Sequence, residues 1–146
     1  MQPKPEQIGY AILRFTLGIN MLMHGLVRLC GDYGGFVDAL DTGFEGTFLP
    51  SFFVRGFAYL VPPLEAVIGL LLIPGLLTIP ALTACGLLLA AFVFGKCLQQ
   101  DWSTVGLQMV YAVTVFLLFA FCRENRLSLD ARRARGRDTD NASEKQ

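Results

Sequence analysis

Four apolar runs, each long enough to cross a bilayer, leave this chain of 146 residues little choice of fold. They run from Ile8 to Cys30, from Phe52 to Pro74, from Ile79 to Leu98 and from Ser103 to Cys122. A helix rises ~1.5 Å per residue, so each run spans a hydrocarbon core ~30 Å thick. A soluble domain of this size has no interior able to hide four such segments, and its charged content of 16% falls short of the ~25% usual in soluble chains. The expectation is an all-α integral membrane protein, a four-helix antiparallel bundle.

The leader MQPKPEQ holds no basic cluster and no small-residue cleavage site follows it, so the first run is expected to remain as a helix. The connection GDYGGFVDALDTGFEGTFLP is too polar and too rich in helix breakers to lie in lipid, with FVDAL forming one short interfacial turn. Pro62 and Pro63 are expected to interrupt the second run near mid-depth. The turn PGLLTIP leads into the third run, with Thr78 as its cap and Pro80 in the first turn, where proline is tolerated. Only QQDW separates the third run from the fourth, which makes these two antiparallel neighbours.

An even number of spans puts both termini on one side. The C-terminal tail carries six arginines and Lys145, whereas the first connection carries Asp32, Asp38, Asp41 and Glu45. By the positive-inside rule the termini are cytoplasmic, and Trp102 anchors the opposite interface. Residues 1–130 read as a four-span membrane domain and 131–146 as a basic, disordered cytoplasmic tail. The chain is expected in the inner membrane as a multi-pass protein. The tail motif ARRARGRD is accounted for by topology, and no partner is assigned to it. The first partner is therefore the lipid bilayer. The 12 basic and 12 acidic residues cancel, which argues against a nucleic-acid binder.

An ionisable side chain in hydrocarbon needs a partner, a wet cavity or a route to the headgroups. Glu65 follows the proline pair, and its expected partner is Arg14, two turns into the first span. Two readings stay open: a structural ion pair, or a catalytic pair in which Glu65 accepts a proton beside a ligand. Arg14, Gly18, Met21, Gly25 and Arg28 fall on one stripe that should face protein, its glycines admitting another backbone. Asn20, His24 and Arg28 form a second polar row, and Gln108, Tyr111 and Lys96 reach a similar depth. Together they outline an outer pocket suited to the two carbonyl oxygens of a quinone, or else a set of inter-helix hydrogen bonds.

His24 is the only histidine, so no metal site is expected. Cys30 and Cys97 lie at the outer ends of their spans and are the candidate redox pair, against the alternative that all four cysteines, with Cys85 and Cys122, are small apolar packers.

The stretches LRFTLGINMLMHGLVRL, VPPLEAVIGLLLIPGLLTIPAL and LSLD make the chain resemble the DoxX family of small bacterial membrane proteins. Arg14, His24, Gly25, Glu65, Gly69 and Gly75 carry that resemblance, with Arg28 as the basic residue after the His-Gly pair. It implies a four-helix membrane protein similar to subunits of thiosulfate:quinone oxidoreductase, working in thiol, sulfur or oxidative-stress metabolism. The chain shows no CxxC and no cofactor motif of its own. Two functions follow as expectations: a quinone-associated oxidoreductase subunit acting with a redox partner protein, or a non-enzymatic scaffold or assembly factor. A second copy of the chain is a further candidate partner.

Overall fold

The computed structural model describes residues 2–143, with side chains over 2–137. Among the described residues there are six α-helices, one 3-10 turn at Cys122–Glu124 and no strand. The helices are α1 (Pro5–Cys30), α2 (Tyr33–Gly43), α3 (Ser51–Leu72), α4 (Thr78–Leu98), α5 (Trp102–Ala120) and α6 (Leu129–Ser143). Four of them, α1, α3, α4 and α5, are long and apolar enough to cross a membrane, which matches the four runs.

Helix α3 is the central one: 44% of its apolar window is buried, against 11% for α5. It packs along α1, and α4 joins it to α5. The core between them holds Leu17, Val61, Ile68, Leu72, Leu82 and Leu118. Glycines set the α1–α3 contact, since there is no Cβ to keep the backbones apart. Gly25 lies against Pro62 and Ala66, Gly69 against Gly18 and Leu22, and Gly18 against Leu72 and Ile73. As the periodicity of α1 implied, Arg14, Gly18, Met21 and Gly25 are all buried.

Those pairs fix the register of two antiparallel helices, and it is offset. Cys30 is level with about residue 60 of α3, so α3 runs on past the end of α1 by about nine residues, or ~13 Å. Helix α2 covers that overhang. It is a full helix of 11 residues rather than the single turn expected for FVDAL, started by the Asp32 carboxylate accepting from the Gly35 N–H at 2.8 Å. Arg55 of α3 donates to Asp38 at 2.7 Å, and Ser51 to Asp41 at 2.7 Å.

The expected interruption at Pro62 and Pro63 does not occur, and α3 is continuous through both. Proline at 63 removes the donor that would reach the Tyr59 carbonyl. The Tyr33 hydroxyl of α2 donates to that carbonyl instead, so a neighbour supplies the missing hydrogen bond.

At the opposite end, Gly75 (φ 69°) closes α3 in the left-handed region. The Leu76 N–H reaches the Leu71 carbonyl at 2.9 Å and the Gly75 N–H that of Leu72 at 3.2 Å, the two bonds of a Schellman motif. Thr78 does not cap α4. That role falls to Asp130, whose carboxylate accepts from the backbone N–H of Leu77 at 2.9 Å and of Thr78 at 2.8 Å. Leu129 and Asp130 also donate their own N–H groups to Pro74 and Gly75. Helix α6 continues from this latch to Ser143, across most of the tail for which the sequence predicts disorder, and residues 144–146 lie outside the described part.

Partial burial raises the pKa of Asp130, but the Thr78 and Leu77 N–H groups outweigh it, so the carboxyl ends below its ordinary value. A folded pKa below the unfolded ~3.9 means that the cap is at full strength above that pH and is lost as pH falls through the folded pKa. Asp130→Ala should therefore cost about 1 kcal/mol at neutral pH, the usual loss of an N-cap. Unfolding in detergent at pH 7 and pH 3 checks this, because the deficit should shrink at the lower pH.

Candidate functional site

A cavity of about 530 Å³ opens between α1, α3, α4 and α5 on the side where α2 lies. Its walls are apolar, with Leu17, Met21, Phe57, Val61, Leu88 and Phe92 among them, and Phe36, Leu40 and Phe44 close it from α2 and the turn after it. Gly95 lets the Phe44 ring lie directly on α4, since a Cβ there would meet its Cζ at 3.0 Å.

The polar groups are few and face one another. Glu65, with 3% of its side chain exposed, accepts a hydrogen bond from Arg28 Nη1, which is 28% exposed. The same guanidinium lies 4.7 Å above the Phe36 ring, a cation–π contact. Its Nη2 approaches His24 Nδ1 at 3.4 Å. Guanidinium can only donate, so a hydrogen bond between the two takes Nδ1 as its acceptor and leaves Nε2 as the donor of that tautomer. Asn20 Nδ2 donates to the Tyr111 hydroxyl at 3.4 Å, linking α1 to α5. Gln108 Oε1 is buried and has no hydrogen-bond partner.

Lys96 donates to Gln99 Oε1 at 2.8 Å and pairs with Asp101 at 3.2 Å. The Asp101 carboxyl is held well below its usual range, first by the Thr104 hydroxyl, then by the Thr104 N–H, Ser103 and Lys96. It is thus an anion at neutral pH and balances Lys96. With Arg28 and Glu65 balancing each other, the cavity as a whole is close to neutral.

Of the residues singled out in the sequence, Asn20, His24, Arg28, Glu65, Gln108 and Tyr111 all line this cavity. Arg14 does not, and the expected Arg14–Glu65 pair is replaced by Arg28–Glu65. The reason is the register. Arg14 is level with Gly75, about ten residues further along α3 than Glu65, and ten residues of helix is ~15 Å. Instead Arg14 binds the C-terminal segment, donating from Nη1 to Asn125 Oδ1 at 2.6 Å and from Nη2 to the Leu127 carbonyl at 3.1 Å. Asn125 in turn donates to the Thr78 hydroxyl at 3.0 Å.

Cys30 and Cys97 are free thiols, Cys30 exposed and Cys97 half-buried. Cys85, read in the sequence only as a small apolar packer, is indeed buried, and it also lines the cavity. Its place in the middle of an apolar run gave no signal of this. Among the described residues no group of histidine, cysteine and acidic side chains could hold a metal ion.

A helical membrane protein in which most of the polar groups singled out within the spans line one largely apolar cavity is the class that fold and site define. Residues 6–103 match the family model of methylamine utilisation protein MauE, and the chain belongs to that family. No curated protein and no solved structure matched it. The match overturns the resemblance to DoxX proteins, because MauE is a different membrane family and its model covers two of the three stretches that carried the resemblance, with all six residues named for it. Glycine spacing and a charge after a proline solve the packing of α1 on α3, and any small membrane protein facing that packing problem can arrive at the same pattern. The implied link to thiosulfate:quinone oxidoreductase falls with it.

Proposed function

We propose that this MauE-family protein is a multi-pass membrane subunit of a methylamine-utilisation system, with both termini cytoplasmic, and that its four spans form an antiparallel bundle holding a quinone for a redox partner protein. One observation carries the reading: a buried, unpartnered Gln108 Oε1 in a cavity otherwise walled by hydrocarbon. An unsatisfied buried acceptor costs ~1–3 kcal/mol, and a ligand hydroxyl would relieve it. A quinol brings such a hydroxyl, while its oxidised form needs donors. The Gln108 amide N–H, the His24 Nε2–H and the Tyr111 O–H are donors of the required kind, so the same residues suit both redox states. Aromatic side chains supply faces for the ring.

The loose packing of α5 on α1 supports access from the membrane plane. Helix α5 is little buried and touches α1 sparsely, with Asn20–Tyr111 as a cross-link. A lipid-soluble ligand enters between these helices without crossing water. Arg28–Glu65 lines the cavity as a neutral pair that sets the polarity of the site, and Arg14 has no part in it.

Titration of the full-length protein in nanodiscs with a short-chain quinone tests this. Saturable binding is expected, weakened about tenfold by Gln108→Leu, the equivalent of one lost hydrogen bond to a buried group. His24→Ala should weaken it by a similar factor at matched folding. Unchanged binding in both variants, or none in the native chain, removes the reading. A scaffold or assembly role then takes its place, favoured by Arg28–Glu65 joining α1 to α3 beside the Gly25 contact, where a purely structural pair would serve.

A further inference from the structure

Helix α1 ends about nine residues short of the start of α3, so the four long helices by themselves leave the cavity open at the end that carries α2. An opening there admits water to a site walled by hydrocarbon. Phe36, Leu40 and Phe44 fill it, and all three are half-buried. Phe44 is the one that crosses to α4, where its ring lies on Gly95.

That seat is built from both sides. A Cβ at Gly95 would lie 3.0 Å from the Phe44 Cζ, and a Cβ at Gly43, the residue before Phe44, would lie 3.0 Å from Nε2 of Gln99, one turn further along α4. Two glycines on facing elements thus bring the turn after α2 onto the end of α4. The Phe44 backbone is held as well. Its N–H donates to the Asp41 carbonyl at 3.0 Å, and its carbonyl accepts from the Thr47 N–H at 3.1 Å and the Thr47 hydroxyl at 2.8 Å. Arg55, paired with Asp38 and Asp41, ties the preceding helix to α3.

The side of the cavity between α1 and α5 is different. His24, Leu107 and Tyr111 line it and stay exposed, Leu107 at 67% and Tyr111 at 39%. Both helices are spans, so this side faces the hydrocarbon of the bilayer. We propose that Phe44, seated on Gly95, seals the cavity against water at the α2 end and so restricts its ligands to uncharged molecules dissolved in the bilayer. This role rests on the cavity being a ligand site, and it names the residue that selects what enters. A charged molecule is excluded on the lipid side by the cost of entering hydrocarbon and at the α2 end by the ring.

One reporter thiol tests the seal. Ala91 lines the cavity one turn of α4 before Gly95 and is half-buried. Ala91→Cys, combined with Cys30→Ser, Cys85→Ala, Cys97→Ser and Cys122→Ser, places the thiol behind Phe44. The full-length protein in nanodiscs is treated with N-ethylmaleimide, which dissolves in lipid, or with a sulfonated maleimide, which does not, and labelling is followed by intact mass. The sulfonated reagent should be slower by about tenfold or more, because its charge bars the lipid route. Phe44→Ala should remove most of that difference, and Phe44→Leu, which keeps an apolar plug, should retain most of it. Phe48, 74% exposed in the same connection and away from the cavity, gives the control, and Phe48→Ala should change neither rate. Slowing of N-ethylmaleimide by a short-chain quinone reads occupancy separately, so a sealed cavity that takes no quinone counts against the quinone and not against the seal. Equal rates of the two reagents with Phe44 in place, an unchanged difference in Phe44→Ala, its equal loss in Phe48→Ala, or a thiol that neither reagent reaches overturns the seal.

Discussion

Gly69→Ala should deprive the protein of most of its folded population, although it adds a single methyl group to a helix that alanine would otherwise favour. A Cβ at position 69 would meet the Leu22 backbone nitrogen, lie 2.6 Å from the Gly18 carbonyl oxygen and 2.7 Å from the Leu22 Cα. These are backbone atoms of a neighbouring helix, so no side-chain rotation makes room. Helix α1 must move outward along its whole contact with α3, and the core side chains lose their neighbours with it. Overpacking of a core costs ~1–3 kcal/mol where side chains can yield, and here they cannot, so the loss should reach or exceed the top of that range. Gly25→Ala should behave alike, its Cβ falling 2.5 Å from both the Ala66 nitrogen and the Pro62 oxygen.

The same change elsewhere should have the opposite sign. Gly56 in α3 and Gly106 in α5 have nothing within 4 Å of a built Cβ. There, replacement by alanine removes only the entropic cost of glycine in a helix and should stabilise by ~0.5–1 kcal/mol. Thermal unfolding of the four variants in one detergent separates the cases. Equal stability of Gly69→Ala and Gly56→Ala would show that α1 and α3 do not meet as described.

Much of this architecture was legible in the chain because it depends on local pattern. Apolar runs set the four spans to within a few residues, and the steps between Arg14, Gly18, Met21 and Gly25 marked the face of α1 that is buried. Five polar positions separated by up to 91 residues, from Asn20 to Tyr111, line one cavity, and their similar depth could be counted from the end of each span without knowledge of contacts. Register between helices is another matter. Depth within the first two runs placed Glu65 near Arg14, whereas the glycine contacts put Arg14 level with Gly75, about ten residues further on, and bring Arg28 to Glu65. Periodicity does not encode that register. Nor does it show that Asp130 caps a helix starting 52 residues earlier, or that a tyrosine in the first connection supplies the donor that Pro63 lacks.

Register is also why the Arg28–Glu65 pair gives the second large effect, and an asymmetric one. Glu65 is almost wholly enclosed, so Arg28→Ala leaves a carboxylate without a counter-charge in an apolar wall, and loss of one partner of a buried pair costs ~3–5 kcal/mol. Arg28 stands near the end of α1 with over a quarter of its side chain exposed. After Glu65→Ala it keeps the Phe36 ring and can extend its guanidinium toward the headgroups, so this variant should lose distinctly less. The double variant, with neither charge, should be more stable than Arg28→Ala alone. A coupling of ~0.5–3 kcal/mol is expected from the cycle, read by unfolding in detergent at one ionic strength. The matching cycle of Arg14 with Glu65 should be additive, since Arg14 is held by Asn125 and Leu127 at the other end of the cavity-bearing helices. Coupling in the Arg14 cycle and additivity in the Arg28 cycle would restore the expected Arg14–Glu65 pair and refute the register that the glycine contacts set. Coupling confined to Arg28 ties the charge in the cavity wall to the same glycine contacts that hold α1 against α3, so that the polarity of the site and the packing of the fold depend on one register.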